Sequence, residues 1–343
     1  MSIEINRVDL SLNFLSVIAE NISLLSPRNK LVVLFPNIRP IRFVTKMLTL
    51  DQNLSTEFYT IENFLSDMVG KFYPSKIKYL DQIKRTLLIL KLIKEIPDIY
   101  KYLGNRDDLA FPWAKRVSSL FEEIDKQMLG NRLHDFQYVE AIDEARKIIE
   151  NIKTLYREYR NLFNNVTSSG DVYLKALEAI ETEYFKNYIS DKTFFICGAV
   201  YLSNAELKIY EEISKKNHIK FFFHTDLHGR DNFEFGGENY SFGVYSLVEN
   251  TIEKLKKISE ITFREHKGTK IRTKIELHEL SDTISEGKVL NHILPKGRKI
   301  VAADEFGVIL PSESSLLPIL SQIDGNKDLN ITMGYPFKNT EVG

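Results

Sequence analysis

The chain has 343 residues, with 46 Lys and Arg against 47 Asp and Glu, so its formal net charge is -1. Hydrophobic residues make up 43% and charged residues 27%, which excludes an intrinsically disordered chain and predicts a sizeable packed core. The length predicts roughly two or three domains. The balanced charge argues against polyanion binding over the whole surface, but it leaves room for a local basic groove.

Cysteine usage and the length of apolar runs bear on the cellular compartment. The chain contains one cysteine, Cys197, and its N-terminus lacks the basic region and small-residue site of a signal peptide. No apolar run approaches the roughly 20 residues that a membrane span needs. We therefore expect a cytoplasmic protein without disulfides or membrane spans.

The first part of the chain predicts alternating helices and strands. Helical spacing predicts an opening helix from Leu10 to Leu25 and another from about Pro40 to Leu48. The run from Leu31 to Phe35 is typical of a strand buried on both faces of a parallel sheet, and a short strand is predicted from Glu57 to Tyr59. Thr60 is placed to cap the next helix through its hydroxyl.

The middle of the chain is predicted to be helical, and strands are predicted again after it. Between Tyr73 and Ile189 strand signals vanish and apolar residues recur every three or four positions, which predicts an all-helical block. Strands return from Lys192 to Gly198 and from Ile219 to His224, around a helix from Ser203 to Lys216 that begins with a capping box. We interpret this as an α/β domain interrupted by a helical insertion.

The last part repeats the strand and helix pattern. A helix from about Ser241 to Ser259 and a basic connection from His266 to Arg272 lead into it. Strands are predicted at Lys274 to Glu279, Glu305 to Leu310 and Leu329 to Met333, and helices at Ser281 to Leu294 and Ser314 to Ile323. These elements are too few for a typical doubly wound sheet, so we expect part of a longer unit.

The sequence lacks a phosphate-binding loop. The turn from Pro36 to Pro40, after the first predicted strand, has no glycine and no Lys-Ser or Lys-Thr pair. Without glycines a backbone cannot approach a pyrophosphate closely, and without the lysine a γ-phosphate lacks its cation. We expect that this chain alone does not hydrolyse ATP.

A second candidate site is His224-Thr225-Asp226-Leu227-His228. In an extended strand His224, Asp226 and His228 point to one side and resemble a set of metal ligands. The alternative interpretation is a polar turn whose side chains make hydrogen bonds after a buried strand. Cys197 lies in an apolar strand, which predicts a buried and unreactive thiol.

Local basicity gives two further candidates. Seven basic and two acidic residues lie between Lys71 and Glu95, a net charge of +5 that includes Lys84 and Arg85. Such a helix face suits a phosphate backbone, although a solvated surface explains it as well. Arg39 and Arg42 follow the first predicted strand, where the carboxyl ends of parallel strands form a crevice, so DNA contact and plain solvation both fit.

Several segments together resemble one family, the AddB-like (RexB-like) subunits of bacterial AddAB helicase-nucleases. Leu31 to Arg39 resembles a strand-Pro-Asn-x-Arg element near the start of those proteins, and the other similar segments follow it in order. They are Thr60 to Leu65, Phe194 to Gly198, Leu202 to Glu206, His224 to Asp226, Phe306 to Leu320 and Leu329 to Phe337. The resemblance runs from about Phe14 to Phe337.

The resemblance implies an inactivated superfamily 1 helicase, followed in full-length relatives by a PD-(D/E)XK nuclease that lies beyond Gly343. No catalytic residue is therefore expected in this chain. Carried over from the family, Pro36, Asn37, Arg39 and Thr60 would line a path for single-stranded DNA, joined by Thr332, Met333 and Gly334 from a second unit. One cysteine cannot build the four-cysteine iron-sulfur cluster of some relatives, so no cofactor is expected.

The expected architecture is an α/β, RecA-like parallel-sheet helicase domain with a large all-helical insertion and the start of a second RecA-like domain. The boundaries are 1–72 with 190–268, then 73–189, then 269–343. The expected function is non-catalytic DNA binding and scaffolding in double-strand break repair and recombination, with single-stranded or end-containing DNA and an AddA-like ATPase subunit as partners. The alternatives are a metal-dependent hydrolase centred on His224, Asp226 and His228, and a scaffold that binds only protein.

Overall fold

The computed structural model describes residues 3–25, 30–73, 78–133, 143–161, 166–227, 233–235, 238–240, 243–269, 276–293, 307–310, 312–323 and 331. The chain divides into two compact units, Met1–Ile271 and Arg272–Gly343. Within the described ranges no helix is both long and apolar enough to cross a membrane.

The strands found in the described ranges belong to the first unit. They are β1 (Ile3–Asp9), β2 (Lys30–Phe35), β3 (Thr56–Thr60), β4 (Lys78–Tyr79), β5 (Val166–Thr167), β6 (Lys192–Cys197), β7 (His218–Thr225), β8 (Phe233–Phe235), β9 (Glu238–Tyr240) and β10 (Ile261–His266). Six of them form one sheet in the order β10-β1-β7-β6-β2-β3, and every pairing in it is parallel. The α/β class and the parallel sheet expected from the sequence are confirmed.

Helices separate most of these strands. In the first unit they are α1 (Phe14–Ser23), α2 (Ile38–Met47), α3 (Leu50–Ser55), α4 (Ile61–Phe72), α5 (Gln82–Glu95), α6 (Pro97–Tyr102), α7 (Asp107–Lys126), α8 (Asp143–Asn161), α9 (Ser169–Ile180), α10 (Glu183–Tyr188), α11 (Asn204–Ser214) and α12 (Gly243–Lys256). Short 3-10 turns occur as well, at Gly130–Leu133 in this unit and at Glu313–Ser315 in the second.

The sheet has an apolar core on each face. On one face Val32, Leu34 and Phe194 pack with residues of α4, α9, α11 and α12. On the other face Val33 and Phe195 pack with residues of α1 and α2. Continuous apolar strands such as β2 and β6 are therefore explained by burial on both sides, as expected for a parallel sheet.

The predicted helical block is confirmed, apart from the two-residue parallel pair β4 and β5. Helices α5, α6, α7 and α8 share a core of their own, which includes Ile89, Phe121 and Tyr159. Helices α9 and α10 instead contribute Val172 and Phe185 to the core on one face of the sheet. The block is thus joined to the sheet through its last two helices.

Strand β1 is an element that the sequence did not predict, so the expectation that a helix opens the chain is wrong. β1 lies between β10 and β7 inside the sheet. Its polar residues interrupt the apolar pattern, but Glu4 and Asn6 have partners on neighbouring strands and Arg7 has one on α12. Glu4 pairs with Lys220 at 3.2 Å, Asn6 Oδ1 lies 2.9 Å from His266 Nε2, and Arg7 pairs with Glu249 at 2.7 Å. The following helix begins only at Phe14, because Asn13 caps it.

The second unit contains α13 (Thr283–Ile293) and α14 (Leu316–Leu320), where helices were predicted. They pack closely, since a Cβ on Gly287 would lie 3.2 Å from the Cα of Ile319 in α14. The strands predicted at Lys274 to Glu279 and Glu305 to Leu310 are wrong over the described residues 276–279 and 307–310. Those segments have no strand neighbour, and Leu277 and Ile309 are exposed. The strand predicted at Leu329 to Met333 falls outside the described residues, except for Ile331, which is not in a strand.

Candidate nucleic-acid interface

The carboxyl ends of β2 and β3 bring several of the predicted site residues together. Phe35 lies opposite Thr60 in the parallel register, so Pro36 and Asn37 leave the sheet beside Thr60. Both polar residues cap helices: Asn37 Oδ1 accepts from the N–H of Arg39 at 3.1 Å, and Thr60 Oγ1 accepts from the N–H of Asn63 at 3.2 Å. The predicted cap at Thr60 is confirmed.

This edge of the sheet is a topological switch point. β2 leads to α2 on one face of the sheet, while its neighbour β6 leads to α11 on the other face. The backbone turns away from β6 at Gly198, whose φ of 74° favours glycine. Crevices at such points are where α/β sheets usually bind ligands.

Helix α2 presents two different faces. Ile41 and Val44 are buried in the core that α2 shares with α1. The opposite side carries four exposed residues at spacings i, i+3, i+4 and i+7. We call these four the α2 basic face: Arg39, Arg42, Phe43 and Lys46. At 1.5 Å per residue, this face extends about 10 Å along the helix from the sheet edge.

The cations of the α2 basic face have few acidic neighbours. No aspartate or glutamate occurs in the sequence between Glu20 and Asp51. Within the described part of the chain, no carboxylate forms an ion pair with Arg39, Arg42 or Lys46. The Lys46 Nζ lies 5.9 Å from the centre of the Phe43 ring, a cation–π contact inside the face.

Phe43 and Lys46 were not among the residues predicted from the sequence. Two signals in the sequence point to them. One is the absence of acidic residues between Glu20 and Asp51, and the other is their helical spacing from Arg39. The sequence analysis instead singled out the segment from Lys71 to Glu95, because it contains more basic residues than α2 does.

The structure corrects the prediction for Arg85. Its side chain is buried, with the residue only 3% exposed. The Arg85 Nε donates to Ser118 Oγ at 2.6 Å, and its guanidinium forms an ion pair with Glu122. Arg85 therefore links α5 to α7 inside the helical block and does not present its charge to solvent.

Four further basic residues between Lys71 and Glu95 also have acidic partners. Lys84, which is exposed, pairs with Asp81 at 3.0 Å. The remaining pairs are Lys71 with Asp67 at 2.7 Å, Lys91 with Glu95 at 3.7 Å and Lys94 with Asp107 at 2.8 Å. Counting charge from Lys71 to Glu95 left out two of these partners, Asp67 and Asp107, because they lie outside the counted segment. This surface of the helical block is much closer to neutral than its sequence predicts.

A second switch point lies between β1 and β7, which lead to α1 and α12 on opposite faces of the sheet. The Asp9 carboxylate there accepts from the N–H and hydroxyl of Ser11 at 2.9 and 2.5 Å, and from the N–H of Leu227 at 3.3 Å. These N–H groups are the type that hold a phosphate in a nucleotide site, and here they bind a carboxylate instead. The loop after this true first strand, residues 10–13, contains no glycine.

The alternative site at His224 has little support from its geometry. The His224 ring stacks on Phe14 at 5.1 Å, and burial lowers the pKa of His224. His228 lies outside the described residues. Over the described ranges no three His, Cys, Asp or Glu side chains are grouped so that they could hold a metal ion.

The thiol of Cys197 is buried in β6, as predicted, and burial raises its pKa well above the usual value. Thr332, Met333 and Gly334, which the family resemblance added to the DNA path, lie outside the described residues. The residues that the structure brings together are thus Pro36, Asn37, Arg39, Arg42 and Thr60.

Comparison with known proteins adds no relative. No protein-family model matches the chain, and a search of curated proteins finds no match.

Proposed function

We propose that the chain binds single-stranded DNA through the α2 basic face, as a helicase-like scaffold without motor activity. The observation that carries the proposal is the set of α2 cations that pair with no carboxylate among the described residues, at the edge of the sheet where ligands usually bind. The sequence resemblance to AddB-like subunits supports a role beside an ATPase partner in double-strand break repair.

The charge balance of the molecule explains why α2 is the favoured surface. Basic and acidic residues are nearly equal over the whole chain, so nonspecific attraction of a polyanion is weak. On α5 the exposed lysines have carboxylate neighbours, which would compete with phosphates. On α2 Arg39, Arg42 and Lys46 have no such competitor among the described residues.

The closed crevice at Asp9 supports a role without ATP turnover. A carboxylate bonded to the loop N–H groups repels a triphosphate and occupies the donors that would bind it. ATP hydrolysis by the purified chain in the presence of DNA would contradict this part of the proposal.

Replacing three cations tests the surface directly. The variant Arg39→Ala with Arg42→Ala and Lys46→Ala should bind a fluorescein-labelled oligo-dT at least about tenfold more weakly than the native chain, as measured by fluorescence anisotropy at low salt. Each lost phosphate contact removes a charge-assisted interaction whose strength depends on counterion release.

The matched control removes the same charge from another helix. Lys84→Ala with Lys91→Ala and Lys94→Ala, all on α5, should change the dissociation constant less than about twofold, because these lysines already have carboxylate partners. Equal weakening by both triple variants would show that net charge alone matters, and would contradict a site on α2.

A further inference from the structure

The ring of Phe43 is exposed in the middle of the α2 basic face. The residue is 45% exposed, although the opposite side of α2 buries Ile41 and Val44. Arg39 lies four positions before Phe43, Arg42 directly before it, and Lys46 three positions after it. An aromatic side chain surrounded in this way is unlike an isolated exposed apolar residue, which needs no explanation.

The Phe43 ring does not contribute to the core beneath α2. The core beneath α2 is filled by Ile41, Val44 and Leu48, with Phe58 packed against it, and Phe43 is not part of it. Its described ring contact is with the Lys46 ammonium group, 5.9 Å from the ring centre. With 45% of the residue exposed, the side chain has surface available to a flat partner.

We propose that a base of single-stranded DNA stacks on Phe43 while Arg39, Arg42 and Lys46 hold the adjoining phosphates. This inference rests on the proposed function and adds a specificity residue to it. Aromatic side chains between cations bind single strands without regard to sequence, because every base has a π-face. In a duplex the base faces are covered by their neighbours, so Phe43 gives a preference for single strands that the cations alone cannot give.

Three ligands of equal length separate stacking from phosphate contact: an oligo-dT, an abasic oligonucleotide with the same sugar-phosphate backbone, and a duplex. The native chain should bind oligo-dT more tightly than either of the others. Phe43→Ala should weaken binding to oligo-dT about tenfold and leave the dissociation constants for the abasic strand and the duplex within about twofold.

A conservative variant tests the π-face itself. Phe43→Leu keeps an apolar side chain of similar size, and it should lose nearly as much affinity for oligo-dT as Phe43→Ala. If Phe43→Leu binds like the native chain, or if Phe43→Ala weakens all three ligands equally, the stacking proposal is overturned. Thermal unfolding of both variants controls for folding.

The outcomes distinguish this proposal from the proposed function. Native protein that binds the abasic strand as tightly as oligo-dT, with no effect of Phe43→Ala, overturns stacking and leaves phosphate binding on α2 intact. Native protein that binds none of the ligands at low salt overturns both.

Fluorescence gives a second and independent readout. The chain contains one tryptophan, Trp113, so Phe43→Trp in a Trp113→Phe background places the only indole on α2. Oligo-dT should quench or shift its emission, and the abasic strand should leave it nearly unchanged. An equal response to both ligands would contradict stacking.

Discussion

Asp125 is a buried carboxylate that shares a cation with a second buried carboxylate, Asp171. It is 1% exposed in α7, and it accepts a hydrogen bond from the Tyr156 hydroxyl at 2.5 Å. Arg160 Nη1 lies 3.5 Å from it and 3.0 Å from Asp171. Burial raises the pKa of Asp125 to about 6, because the hydroxyl and the shared arginine offset only part of the desolvation cost, and Asp171 and Glu122 add repulsion.

This shift predicts a pH-dependent contribution to stability. Between about pH 4 and pH 6 the folded chain keeps a proton on Asp125 that the unfolded chain has lost. The stabilisation is therefore complete below the unfolded pKa and is lost as the pH rises through 6. Asp125→Asn cannot titrate but keeps an acceptor for Tyr156.

Urea unfolding of both proteins at pH 4.5 and pH 7.5 measures the effect. The free energy of unfolding of the native chain, minus that of Asp125→Asn, should fall by about 2 kcal/mol between the two pH values. A difference that stays constant would show that Asp125 titrates near its ordinary value, and one that rises with pH would show that folding lowers its pKa; either would contradict the raised pKa.

At the level of single residues, the sequence indicated which residue types suit a site, but it did not show which partners surround each side chain. The family resemblance suggested Asn37 and Thr60, the position after the first predicted strand suggested Arg39, and the structure places all three along one edge of the sheet. Arg85 looked equally suitable, but its ion pair with Glu122 joins residues 37 positions apart in sequence. Only the packing of α5 against α7 reveals that partner.

Among the elements, those with strong local signals were predicted well. The capping box at Ser203 starts α11, and the apolar run of β2 is buried between two layers of helices. β1 was missed because its polar residues are satisfied by β7, β10 and α12, which are more than 200 residues away. The spacing of apolar residues along the chain cannot reveal partners so distant in sequence.

The buried pair between α5 and α7 allows a test at the same scale. Arg85→Ala should lower the free energy of unfolding by about 2–4 kcal/mol, because it leaves Glu122 unpaired beside the core. Its neighbour Lys84 is exposed, so Lys84→Ala should change that free energy by less than about 0.5 kcal/mol. Chemical denaturation measures both.

DNA binding of the same two variants separates structure from function. Native-like binding of oligo-dT by folded Arg85→Ala is expected, because its side chain does not face solvent. Stability close to that of the native chain, together with a large loss of DNA affinity, would contradict the structural role given to Arg85.

The chain combines a nearly neutral charge with the α2 basic face, whose cations pair with no carboxylate among the described residues. The parallel sheet places α2 and the β2–β6 switch point together, while Asp9 closes the switch point between β1 and β7. The sequence predicted the parallel sheet and the helical block. It could not predict which basic segment stays unpaired, because that depends on the neighbours that the fold brings to each helix.

The salt dependence of oligo-dT binding tests the central claim most directly. For single strands the logarithm of the affinity falls with the logarithm of salt concentration by about 0.7 per phosphate neutralised. The slope for the native chain should therefore be steeper, by about 2, than the slope for the variant that lacks the charges of Arg39, Arg42 and Lys46. Equal slopes, or no binding by the native chain at low salt, would contradict a nucleic-acid site on α2.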